Sequence, residues 1–92
     1  MQISFDEVKR QINLSKHGLD FADLDIDYFA SSIVVPAKLG RFMAIGLLFD
    51  DVIATVFVKL GSQGLSIISM RPASRKERNA HEQYKTQKVD LN

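Results

Sequence analysis

The sequence of 92 residues contains no cysteine. That removes disulfides, a thiolate nucleophile and every cysteine-based zinc site, and it suits a reducing cytoplasm. Histidine is nearly as scarce: His17 and His81 stand 64 positions apart, and neither belongs to an HExxH motif. No GxSxG nucleophile elbow, P-loop or GxGxxG is present either. No metal or organic cofactor is therefore expected. The longest apolar stretch, 42–60, is interrupted by Asp50 and Asp51, so no membrane span is expected. The opening "MQISFDEVKR" places acids and bases ahead of any apolar run, unlike a secretory signal. Internal repeats are absent as well.

What is present reads as one soluble domain over 1–92, with a tail at about 88–92 expected to fray. Apolar residues make up 46% and charged residues 25%, enough for one modest core. A formal net charge of +1 conceals an asymmetry along the chain. Residues 1–35 set Lys9, Arg10 and Lys16 against six acids, whereas residues 71–92 set six bases against Glu77, Glu82 and Asp90. A basic C-terminal third permits contact with a polyanion at one face, although such helices are often merely solvated.

Along the chain, "ISF" can open a short strand. "DEVKRQINLSKHG" reads as a helix, capped by Ser4 or Asp6, with Val8 and Ile12 at helical spacing. Ser4 as cap would add Glu7 as a capping-box partner and Ile3 with Val8 as a hydrophobic staple. Lys16 and His17 fall in its last turn, where the dipole favours cations, and Gly18 is a natural terminator. "FADLDIDYFA" predicts a second short helix with Phe21, Leu24 and Tyr28 along one side and aspartates on a solvated face. "SIVVPA", "RFMAIGLLF", "VIATVFVKL" and "LSIISM" predict four strands, with turns at Asp50-Asp51 and "GSQG" and short connections that favour an antiparallel meander. Pro72 stops the last strand. Ser74 to Glu77 then forms a capping box opening a helix from about Arg75 to about Gln87, whose few apolar positions are Ala80 and Tyr84. The expected architecture is α+β: N-terminal helices packed on a four-stranded, mainly antiparallel sheet, followed by a C-terminal helix.

Cations gather where the last strand meets that helix. Arg71 leaves the strand, and Arg75, Lys76 and Arg78 follow within one helical turn. Guanidinium groups near a helix N-terminus can hold phosphate. Phosphodiester cleavage needs charge stabilisation, a proton acceptor and a proton donor. Arginine and lysine suit the first need, histidine and glutamate the others. Each residue also has a plainer reading: Arg75 and Lys76 as solvated side chains, Glu77 as a capping-box member, Arg78 as a helix-surface partner of Glu82, and Arg41 as an edge residue.

Three stretches, "FDEVKRQINLSKHGLDFADL", "RFMAIGLL" and "IISMRPASRKERNAHE", resemble the BrnT family of toxins from type II toxin–antitoxin pairs, related in fold to RelE-like ribonucleases. Asp6, Lys9, Asn13, Lys16, His17, Gly18 and Phe21 match its helix motif. Arg41 ahead of Ile45-Gly46 matches its strand motif. Ile68, Ser69, Arg71, Ala73, Glu77 and Arg78 match its C-terminal block. Two positions depart: Phe5 stands for a tryptophan, and His81 for a tyrosine. The resemblance implies a cytoplasmic, metal-independent endoribonuclease that cleaves RNA and arrests growth. It implies Lys16, His17, Arg71, Glu77 and Arg78 as catalytic candidates, and Arg41, Arg75, Lys76 and His81 as RNA-binding ones. It also implies a ribbon-helix-helix, BrnA-like antitoxin, with operator DNA bound only through the complex. The alternative is a non-catalytic module that binds nucleic acid or docks the antitoxin.

Overall fold

The first residues of the chain do not stand apart from the sheet. In the structure, a computed structural model that describes residues 1–90 and side chains as far as Thr86, strand β1 (Gln2–Phe5) forms one sheet edge, pairing in parallel with β5 (Gly64–Pro72). The remaining strands are β2 (Ile33–Pro36), β3 (Phe42–Leu48) and β4 (Asp51–Leu60), and the sheet order is β1-β5-β4-β3-β2. The expected four-stranded antiparallel sheet is thus corrected to a five-stranded mixed one. The meander from β2 to β5 follows local turns, as expected. A parallel addition joins segments distant in sequence, and no local signal marks it.

Helix α1 (Glu7–His17) starts at Asp6, whose Oδ2 accepts the Lys9 N–H at 3.0 Å, so Ser4 is not its cap. Gly18, with φ of +69°, ends it. Val8 and Ile12 face solvent, 65% and 61% exposed, and no staple forms through Val8. The inner side is polar instead because α1 runs along the β5 edge beyond the end of β1. There the Met70 N–H donates to Asn13 Oδ1 at 3.0 Å, while Asn13 Nδ2 donates to the Leu19 carbonyl at 3.1 Å. Asn13 thereby satisfies a ladder donor that β1 is too short to reach.

The predicted second helix is divided. A 3₁₀ turn (Phe21–Asp23) is capped by Asp20, and α2 (Ile26–Ala30) is capped by Asp25. Asp20 is the cap its position allowed, whereas Asp25, expected on a solvated face, builds a second helix start. Asp20 also holds Arg10 through two bonds of 2.7 and 2.8 Å, and that guanidinium draws its carboxyl down to about 2. Phe21, Leu24, Tyr28 and Phe29 pack with Ala44, Leu48, Ile53, Phe57, Leu65, Ile67 and Met70 in one core on this face of the sheet. The buried Tyr28 hydroxyl donates to the Ile53 carbonyl at 2.8 Å and lies 3.0 Å from Thr55 Oγ1. Gly46 has no room for a side chain, since an added Cβ would strike Ser32 Oγ.

Two details set the far face. The β3–β4 turn is Phe49-Asp50 rather than Asp50-Asp51, since Leu48 pairs with Asp51, and Phe49 takes a left-handed φ of +56°. In β5 the register slips by one beside Val56 and Phe57: Phe57 faces Ile67 while Val56 faces Ser69, leaving Ile68 as the bulged residue. Strict alternation from Leu65 and Ile67 would send Ser69 and Arg71 into the aromatic core. The extra residue reverses the parity, burying Met70 at 0% exposure and turning Ser69 and Arg71 to the opposite face.

Helix α3 (Arg75–Asp90) packs on that opposite face, against β3 and β4. It continues three residues past its expected end at Gln87, and the tail expected at about 88–92 otherwise lies outside the described residues. The capping box forms as predicted: Glu77 N–H donates to Ser74 Oγ at 3.2 Å and Ser74 N–H to Glu77 Oε1 at 2.8 Å. Among the described side chains of the helix the buried one is His81, at 6% exposure, while Ala80 is exposed.

Candidate active site

Arg71 and Glu77 are the fixed point of the cationic end. The Arg71 guanidinium donates from Nη1 to Glu77 Oε1 at 2.8 Å and from Nη2 to Oε2 at 2.9 Å, the planar two-bond geometry that suits arginine. Nη1 also donates to the Pro72 carbonyl at 3.3 Å, and Nη2 points to Met43 Sδ at 3.9 Å. All four Nη hydrogens therefore have acceptors, leaving Nε–H and the guanidinium face for a ligand. Glu77 accepts from Arg71 and from the Ser74 N–H, and the arginine above all holds its carboxyl down to about 2. Arg71 is raised in turn by Glu77.

At 3.6 residues per turn, successive α3 side chains are rotated by about 100°. Glu77 and His81 share the sheet side. Arg78 lies about 100° round the axis from Glu77 and is exposed. Arg75 and Lys76 line a groove with Asn79, Ala80 and Gln83 on the outer side. The expected cradle of Arg71, Arg75 and Arg78 is therefore not one cradle: the first arginine is clamped inward, the second faces away and the third borders both. His81, expected to contact RNA, is instead seated between α3 and the sheet.

Lys16 and His17 arrive at this end from α1. The helix leaves β1 level with Ile67 and touches β5 again at Met70, so it runs along β5 in the same sense. The four residues from Asn13 to His17 advance about 6 Å, and the two from Met70 to Pro72 about 7 Å. The end of α1 therefore lies level with the end of β5 and the start of α3. Lys16 is exposed and His17 half-buried.

Arg41 is placed elsewhere. Strand alternation sets it on the Arg71 side of the sheet, next along from Met43. Its Cα is four positions from Ile45, which is level with Ala54 and Arg71, so about 13 Å along the strands and two strands across. Between the two arginines the open sheet face presents Met43, Val56 and Ser69, all half-buried. Met43 was missed by sequence reasoning and carries no signal beyond its neighbours. Asn13 and Gly46 fell within the motifs, but their role is structural. The Arg71–Glu77 pair had a signal that was not used: a strand-terminal arginine ahead of a proline and a capping-box glutamate. Among the described residues no group of three His, Asp or Glu side chains could hold a metal ion.

Three comparisons place the chain among known proteins. The family model described as the ribonuclease toxin BrnT of type II toxin–antitoxin systems matches residues 5–77. A crystal structure of the Brucella abortus ribonuclease toxin BrnT superposes with a TM-score of 0.77 at 53% identity, over 82% of this chain and 99% of that one. No curated protein matches the sequence. With the family model covering most of the chain and a solved relative aligned over nearly its full length, the protein belongs to the BrnT family of ribonuclease toxins of type II toxin–antitoxin systems.

Proposed function

We propose that the chain is a metal-independent endoribonuclease whose reaction centre is the end of the sheet where α1, β5 and α3 meet. One observation supports this reading: the Met70 N–H bond to Asn13 ties α1 to β5 just before that strand ends, and a helix continuing in the same sense carries Lys16 and His17 about 6 Å further, toward Arg71 and the first turn of α3. In the proposed arrangement an RNA phosphate lies between the ends of α1 and α3. Lys16 and Arg78 stabilise charge on the non-bridging oxygens, with Arg71 contributing its Nε–H and its fixed position. His17 is the candidate for taking up or delivering the proton. The neighbouring strand crosses the open sheet face toward Arg41 in one direction and the outer cations Arg75 and Lys76 in the other.

As a type II toxin the protein has an antitoxin. The proposed partner is a ribbon-helix-helix, BrnA-like protein, with operator DNA engaged only through the complex. A cytoplasmic site of action agrees with this, and no described helix is long and apolar enough to cross a membrane. The test is incubation of purified protein with RNA, with and without chelator, and with the antitoxin. Fragments that form in chelator and disappear with the antitoxin are expected; a requirement for divalent metal overturns metal independence.

A second reading, a nucleic-acid-binding module without catalysis, is favoured by one feature: Arg71 already has acceptors for all its Nη hydrogens. Salt-dependent RNA binding without fragments would establish it.

A further inference from the structure

The carboxylate of Glu77 has two roles open to it, proton acceptor or clamp, and its surroundings differ for the two. A general base needs a free lone pair directed at the substrate and an affinity for protons near the working pH. Glu77 instead accepts three donors: Arg71 Nη1 at 2.8 Å and the Ser74 N–H at 2.8 Å on Oε1, and Arg71 Nη2 at 2.9 Å on Oε2. Its side chain is 14% exposed, against 42% for Arg71. The donors favour the ionised form and leave the carboxyl far below neutrality.

The same carboxylate joins two elements. Through Arg71 it reaches the end of β5, and through the capping box it closes the first turn of α3, which carries Arg75, Lys76 and Arg78. Glu77 Oε1 is shared by the Arg71 Nη1 donor and the Ser74 N–H, so the clamp and the helix cap converge on one oxygen. A ligand meeting this end therefore meets cations already in position.

We infer that Glu77 is a positioning residue: with Ser74 it locks Arg71 and the first turn of α3 into one cationic unit that receives the phosphate, and the proton moves on another group. The inference rests on the ribonuclease reading above and deepens it by taking Glu77 out of the acid–base step.

Steady-state cleavage and its pH profile, measured on wild type, Glu77→Gln, Glu77→Ala, Arg71→Ala and the double Arg71→Ala/Glu77→Ala, test the inference. Glu77→Ala is expected to raise KM by about 10- to 100-fold, the size of a lost charged hydrogen-bond pair, with kcat reduced far less. Glu77→Gln is expected to retain both limbs of the pH profile. The double variant is expected to be no worse than Arg71→Ala, because the two residues act as one unit. Loss of kcat in Glu77→Gln together with loss of the acidic limb would make Glu77 the base and overturn the inference; so would additive effects in the double variant. If the wild type cleaves no RNA, the ribonuclease reading fails by itself. Affinity for a 2′-O-methyl oligoribonucleotide, which offers no 2′-hydroxyl nucleophile, then decides the positioning role. Equal weakening in Glu77→Ala, Arg71→Ala and the double variant supports it, and unchanged affinity in Glu77→Ala overturns it.

Discussion

The two faces of the sheet are built from different materials. Under α2 and the Phe21–Asp23 turn, four aromatic and aliphatic side chains meet the sheet, and the one buried phenol, Tyr28, has its hydroxyl satisfied and its pKa pushed up to about 12 by burial. Under α3 the contacts are an ion pair, a capping box and His81, and the neighbouring strands are left half-open. The first face is close-packed apolar surface that stabilises the fold. The second is thinner: Ile45 and Ala54 form a small apolar floor beside the buried His81, and directional bonds fix the ion pair and the capping box. In the proposed function stability and chemistry are thus separated by the thickness of one sheet, and substitutions on the two sides should fail differently.

The largest effect belongs to the packed face. Phe21→Ala, at a side chain with 0% exposure touching Phe5 edge-on, should cost about 3–5 kcal/mol, read as the shift in denaturant midpoint. A loss below 1 kcal/mol would show that this face tolerates a cavity and would blur the distinction. Next comes the seam between the faces. Asn13→Leu strands the Met70 N–H and the Leu19 carbonyl and should cost about 1–3 kcal/mol, with faster hydrogen exchange at Met70. The polar face should respond to acid. Because the Glu77 carboxyl is lowered from 4.5 to about 2, its contribution is complete above the unfolded value and is lost as pH falls through the folded one. Thermal melts should therefore lose this stability across that interval, and Glu77→Gln should remove that part of the dependence. Smallest is the turn: Phe49→Gly relieves a left-handed backbone at a side chain already 74% exposed and should raise stability by about 0.5–1 kcal/mol. A decrease instead would show that the exposed ring packs in solution.

Much of the polar face was legible because its signals are local. Ser74 and Glu77 stand three residues apart, Pro72 closes the strand, and the α3 start follows from them. The sheet-side aromatics were legible for the same reason, as Phe21, Leu24 and Tyr28 repeat along one side. Val8 and Ile12 misled because helical spacing marks a face without saying whether a sheet lies beneath it; α1 flanks an edge, where an asparagine is worth more than a valine. β1 was seen as a strand but not as the fifth member of the sheet, since its partner Gly64–Ile67 lies some 60 residues away. The motif residues proved to be of two kinds. Asp6, Asn13, Gly18, Phe21 and Gly46 hold the scaffold, while Lys16, His17 and Arg78 are exposed or half-buried at the site end. Spacing alone did not sort them, because a cap and a ligand both require a polar residue at a fixed offset.

Ile68 has a part in this protein out of proportion to its chemistry. It acts as a spacer whose presence decides which side of the sheet every later residue of β5 addresses. Drawing it back into regular pairing, so that the bulge is lost, would exchange Met70 and Arg71: a charge directed at the aromatic core and a thioether where the ion pair stood. The side of the sheet on which Arg71 meets Glu77 is consequently set by a bulge as much as by the letters of the strand.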